Sequence, residues 1–172
     1  LSRLLTCNPQ LTEVSVAPFN PRHHDSSSLL HLMAKLEELH SLTICLRKMD
    51  ANQADSFAQI VERLHQLNLF QCLFTQELCR LLSLHMPSNL RELSMSGFIR
   101  DPAAFDGCLA ATENLPLRVF RLGKKNYTYN MRVNARALLR VLPSWRHLRE
   151  LHLEYVTLTG AADAPFVPSS SA

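Results

Sequence analysis

The side chains with the means to do chemistry are eight histidines, five cysteines and eighteen lysines and arginines, in a chain of 172 residues. A zinc hydrolase needs two histidines one helical turn apart with a glutamate between them, as in H-E-x-x-H. No pair here has that spacing: His31 and His40 are nine residues apart, and His65, His85, His147 and His152 are scattered. His23-His24 stand beside Pro21 and Asp25, a grouping that reads as a surface loop rather than a metal site. Cys7, Cys45, Cys72, Cys79 and Cys108 are odd in number and lack C-x-x-C spacing, so neither a zinc knuckle nor a disulfide framework is expected. They read as reduced, mostly buried thiols of an intracellular protein. There is no G-x-S-x-G elbow, no P-loop and no G-x-G-x-x-G, and four glycines are few for phosphate-cradling loops. The expectation is a non-catalytic protein with no metal, no cofactor and no small-molecule substrate.

Charge is distributed unevenly. Residues 1–114 carry 9 basic and 12 acidic side chains, a net of −3, whereas 115–150 carry 9 and 1, a net of +8. The basic set is Arg118, Arg121, Lys124, Lys125, Arg132, Arg136, Arg140, Arg146 and Arg149, with Tyr127 and Tyr129 among them. Guanidinium forks suit carboxylate and phosphate, so this patch is expected to meet an acidic protein or the backbone of RNA or DNA. Arg132, Arg136 and Arg140, four apart, would line one stripe of a helix.

The elements that must position these groups follow from a repeat. Six segments share the frame L-x-x-L-x-L with apolar substitutions, beginning at Leu11, Leu39, Leu64, Leu90, Leu117 and Leu148. One match is weak, since about one start in 27 fits by chance if a third of residues are large and apolar. The starts are 28, 25, 26, 27 and 31 residues apart, and that regularity is what chance does not supply. Between frames lie stretches of helical periodicity. Ser26-Ser27-Ser28 precedes Leu29 to Leu36, Asn52 is placed to cap a helix through Phe57, Ile60 and Val61, and Thr75 precedes Leu78, Leu81 and Leu82. Asp101-Pro102 is a start signal for Phe105 and Leu109, and Asn130 begins a run through Val133, Ala137 and Leu138 that Pro143 ends.

One strand and one helix per repeat of 25–31 residues resembles the ribonuclease-inhibitor-like class of leucine-rich repeats. The resemblance covers roughly residues 1–158 and implies an α/β solenoid, a right-handed arc of about six repeats. Strands would line its concave face and helices its convex one. In that class the residue after the frame, Asn or Cys, bonds the backbone of neighbouring coils. Cys72 fits, whereas Phe19, Arg47, Phe98, Lys125 and Val156 depart, which leaves the turns less regular than the strands. The repeat domain is read as 1–160, a fragment of something longer, and 161–172 as a flexible tail. No stretch reaches the roughly 18 apolar residues of a membrane helix, so no membrane partner is expected.

Alternation along the strands puts Ser15, Thr43, Asn68, Ser94, Arg121 and His152 in one row on the concave face. Glu13, Ser41, Gln66, Glu92, Val119 and Glu150 flank it on one side; Ala17, Cys45, Phe70, Ser96, Gly123 and Glu154 do so on the other. Repeat arrays recognise partners on such extended faces. The expected function is therefore a protein-interaction module or scaffold within a larger complex. Two alternatives stand beside it: an architectural subunit touching RNA or DNA through 118–149, and the recognition repeats of an F-box adaptor or innate immune receptor.

Overall fold

A strand frame whose first, fourth and sixth residues are apolar buries one face, and a parallel pairing partner must then lie a whole repeat away. A computed structural model of the chain describes residues 2–16, 26–47, 49, 51–123 and 131–160. In chain order the elements are α1 Ser2–Cys7, β1 Glu13–Ser15, α2 Ser26–Ala34, β2 Ser41–Ile44, α3 Ala51–Val61, β3 Gln66–Phe74, α4 Gln76–His85 and β4 Glu92–Ile99. There follow α5 Pro102–Ala110, β5 Val119–Gly123, β6 Met131–Asn134, α6 Ala135–Val141, a 3-10 turn Leu142–Ser144, β7 Glu150–Glu154 and β8 Val156–Thr159. All six frames become strands, and these form one parallel sheet in the order β1-β2-β3-β4-β5-β7. The register joins Val14, Leu42, Leu67, Leu93, Phe120 and Leu151, the fourth residue of every frame. The result is an α/β repeat fold.

Successive helices pack on one another in the same order as the strands. Between helices and sheet lies the core, in which Phe57, Phe74, Phe105 and Phe120 are fully buried. Phe74 meets Phe105 edge-on at 5.1 Å between ring centroids, and Phe120 lies 4.5 Å from Trp145. The Trp145 ring N–H donates to Thr112 O at 2.9 Å, so the indole is buried without losing its polar bond. Arg63, just after α3, donates from Nη2 to the carbonyls of Met33 and Ala34 at 3.0 and 2.8 Å. It thereby satisfies carbonyl groups at the end of α2 one repeat earlier. Burial depresses its guanidinium pKa, and nearby Glu37 partly restores it.

Local start signals hold where the cap can reach an amide. The Thr75 hydroxyl accepts from Leu78 N–H at 3.3 Å, and Asp101 Oδ1 accepts from Ala104 N–H at 3.0 Å ahead of Pro102. Asn52 is different: it is the second residue of α3, inside the helix rather than capping it. The largest departure lies before α6. Residue 130 is outside the described range, and residues 131–134 form β6 instead of a first helical turn. Met131 and Val133 are buried while Arg132 is exposed, a period of two that favours a strand paired with β8. Asn134 Oδ1 then accepts from Arg136 N–H at 3.0 Å and starts the helix there. Arg132 consequently leaves the stripe expected with Arg136 and Arg140: it lies on β6 and the other two on α6.

The turn after each strand is also resolved. Gln71 has a left-handed backbone (φ 53°) within a bulge between Leu69 and Cys72. Cys72 Sγ accepts from Leu46 N–H at 3.1 Å and donates to Ile44 O at 3.6 Å, both one repeat back, as its place after the frame implied. Burial pushes this thiol up to about 12. Gly97 pairs with Cys72, and a Cβ there would lie 1.9 Å from Cys72 O. Phe98, at the equivalent place one repeat on, is instead 61% exposed.

Candidate functional site

The face of the sheet turned away from the core carries the expected polar row. Backbone register places Ser15 beside Thr43, Thr43 beside Asn68, Asn68 beside Ser94, Ser94 beside Arg121 and Arg121 beside His152. Ser15 is exposed and the other five are half-buried, so each presents its polar end while its stem packs against neighbours. The strands hold these side chains about 4.8 Å apart, far more rigidly than a loop would.

Charged groups on this face pair with one another. Arg121 reaches Glu150 from Nη2 at 3.2 Å and Glu92 from Nη1 at 3.8 Å. Gln66 Nε2 donates to Glu92 Oε1 at 3.1 Å, and His152 Nε2 lies 3.2 Å from Glu150 Oε2. One guanidinium thus ties three strands together. Partly exposed pairs of this kind contribute little stability individually, about 0–1 kcal/mol. Their clearer effect is to fix which way donors and acceptors point. In front of β1 to β5 runs a groove of about 310 Å³, with walls that include Glu13, Thr43, Asn68, Ser94 and Arg121. It is lined with hydrogen-bonding groups and holds no nucleophile beside a base. Cys45 and His152 are four strands apart.

The flanking row beyond Asn68 does not continue across the sheet as alternation predicts. Ser96 is 1% exposed, and its hydroxyl lies between Leu69 O and Gln71 N–H, at 3.4 Å from each. The Cys45 thiol donates to Gln71 O at 3.5 Å. Phe70, half-buried on the bulged strand, is the aromatic of this region. The bulge and the left-handed residue at 71 turn the strand off the sheet here, so period two no longer applies. Ala17 lies outside the described residues.

The basic set does not form one surface. Arg118 and Arg149 stand exposed at the starts of β5 and β7, and Arg146 stands in the turn before β7. Arg121 lies mid-face in ion pairs, and Arg140 is exposed on α6. Arg132 and Arg136 line a second cavity, of about 620 Å³, beside α5, β6 and β8. Inside it Asn134 Nδ2 donates to Asp106 Oδ2 at 2.7 Å, over a floor that includes Ile99, Phe105 and Val133. Its wall ends at Gly160, the last described residue, so its volume is not that of a closed pocket. Nothing in the sequence pointed to this cavity, because β6 was not foreseen. Lys124, Lys125, Tyr127, Tyr129 and the segment His23-His24-Asp25 lie outside the described residues, as does the tail 161–172. Among the described residues no group of three metal-ligating side chains occurs, and no helix is long and apolar enough to cross a membrane.

One row of the sheet escaped the sequence reading although the frame contains it. The second residue of each frame, one place before the Glu13 row, is Thr12, His40, His65, Arg91, Arg118 and Arg149. Reading the six frames as columns rather than as lines would have shown it.

No protein-family model matches the chain, and no curated protein matches it. Among solved structures, a Caenorhabditis elegans tropomodulin C-terminal domain from structural genomics is similar, with a TM-score of 0.60 and 15% sequence identity. The match covers 85% of this chain and 92% of that one. At that identity the likeness concerns the fold, a leucine-rich-repeat-like arrangement of strands and helices.

Proposed function

We propose that the chain is a non-catalytic protein-interaction module, a short leucine-rich-repeat solenoid of the ribonuclease-inhibitor-like class that serves a larger complex. The observation carrying this reading is the groove across β1 to β5, whose polar side chains come from five strands in strict register. A row of Thr, Asn, Ser and Arg ends, each held by a strand, suits recognition of a polypeptide's backbone and side chains. It does not suit bond-breaking, which needs a base beside a nucleophile. The similar tropomodulin domain adds a fold in which repeats build an extended face. An RNA- or DNA-binding reading loses support because the basic residues on which it rested occupy separate places.

The test compares the tagged chain with N68R/S94R, which fills the groove with two long cations and buries neither. Affinity capture from native lysate, with nuclease present, is expected to retain a protein partner on the wild type and lose it on the variant. Retention of the same proteins by both chains would remove this face as the binding surface. Partners that vanish with nuclease alone would restore the nucleic-acid reading.

A further inference from the structure

The row one residue before the groove is bound together by backbone hydrogen bonds that run the length of the sheet. His40 N–H donates to Thr12 O at 3.0 Å, His65 N–H to His40 O at 2.8 Å and Arg91 N–H to His65 O at 2.8 Å. Arg118 N–H donates to Arg91 O at 2.7 Å and Arg149 N–H to Arg118 O at 2.8 Å. These residues therefore sit on consecutive rungs, and the imidazole rings of His40 and His65 have centroids 5.7 Å apart. Arg91, Arg118 and Arg149 are exposed, and among the described residues none of the three forms an ion pair. The carboxylates one place along, Glu92 and Glu150, are engaged by Arg121 instead. Like charges on neighbouring strands repel, so three uncompensated guanidinium groups in line oppose the pairing that brings them together.

We propose that this row is a docking edge for an acidic helix of a protein partner, laid across the strands with carboxylates facing Arg91, Arg118 and Arg149. The inference rests on the interaction-module reading above and names its partner's chemistry. Two rungs of a parallel sheet span about 9.6 Å. Carboxylates at i, i+4 and i+7 of a helix span about 10.5 Å, a difference that flexible arginine side chains absorb. An extended peptide presents one side every second residue and spans about 13 Å over three such positions, which overshoots the row. A nucleic acid carries charge of one sign along its whole backbone and would also lie over Glu13, Glu92 and Glu150. A helix can meet those carboxylates with a neutral or basic face while its acidic stripe meets the arginines.

The experiment titrates the full chain against a fluorescent, helix-stabilised synthetic peptide with Glu at i, i+4 and i+7. A second peptide of the same composition has its glutamates spread around the helix. Anisotropy is expected to give at least tenfold tighter binding for the striped peptide, weakening as salt rises. R91E/R118E/R149E is expected to lose at least thirtyfold, and R136E/R140E on α6 less than twofold. Circular dichroism checks the folding of each variant; R91Q/R118Q/R149Q replaces the reversal if that one is destabilised. Equal binding of the two peptides, or equal losses in the edge and α6 variants, would overturn the proposal. So would an RNA oligonucleotide of matched charge that displaces the striped peptide. If the edge fails while N68R/S94R still abolishes capture of a protein partner, the interaction-module reading stands and the acidic helix does not.

Discussion

The repeat formed by β3 and α4 and the one that ends in β7 and β8 carry the same apolar frame, yet they bury it to very different extents. Leu67 and Leu69 are 2% and 0% exposed, whereas Leu151 and Leu153, their counterparts, are 41% and 40% exposed. The residue types are the same, and so is the strand geometry. The difference is a neighbour on each side: β3 pairs with both β2 and β4, and β7 pairs with β5 alone. A frame fixes which way a side chain points. Only the next repeat removes it from water, so nearest-neighbour contacts set stability along the array.

The sharpest break of this comparison uses one substitution at both places. Leu67→Asp puts an unpaired carboxylate between two repeats and is expected to cost more than about 4 kcal/mol, enough to remove the cooperative urea transition. Leu153→Asp leaves its charge partly in water and should shift stability by about 1 kcal/mol or less. Similar losses at the two positions would mean that the terminal strand is as integral as the central one.

Glycines give a second contrast. Gly97→Ala drives a Cβ to 1.9 Å from the Cys72 carbonyl in a left-handed backbone (φ 145°), and about 3 kcal/mol is expected from strain and overpacking together. At Gly160 (φ 75°) the nearest atom to an added Cβ is Asn134 Oδ1 at 3.4 Å, so only the backbone term, about 1 kcal/mol, remains. Urea midpoints of the two alanine variants check the ratio.

The smallest effect sharpens the comparison without a substitution. Trp145, the sole tryptophan, packs on Phe120 and reports the last repeat, while far-UV circular dichroism reports the whole chain. Its emission is expected to shift to the red at a lower urea concentration than the loss of dichroism. Coincident midpoints would show one cooperative unit instead of a fraying end.

The six strands were legible because their signal is local and repeated: each frame fixes a buried face, and 25 to 31 residues bring the chain back to pair in register. The row from Ser15 to His152 followed directly, since period two needs only a regular strand. Helix starts were legible at Thr75 and Asp101, where a side chain caps the amide three residues on. They were not legible at Asn130, because Arg132, Arg136 and Arg140 fit a period of four as well as they fit a strand followed by a helix. Pairing of Met131 and Val133 with Val156 and Leu158 chose between the two, and those partners lie some 25 residues away.

By itself, then, the sequence determined the repeat, the register of the sheet and the identity of its outward row, because these depend on alternation within a few residues. Tertiary structure alone decided which apolar positions lose their water and that Arg121 compensates Glu92 and Glu150 while Arg91, Arg118 and Arg149 go uncompensated. It also split one basic segment among four places. Burial and charge pairing are properties of neighbours in space, and in a stacked repeat those neighbours are a whole repeat away along the chain.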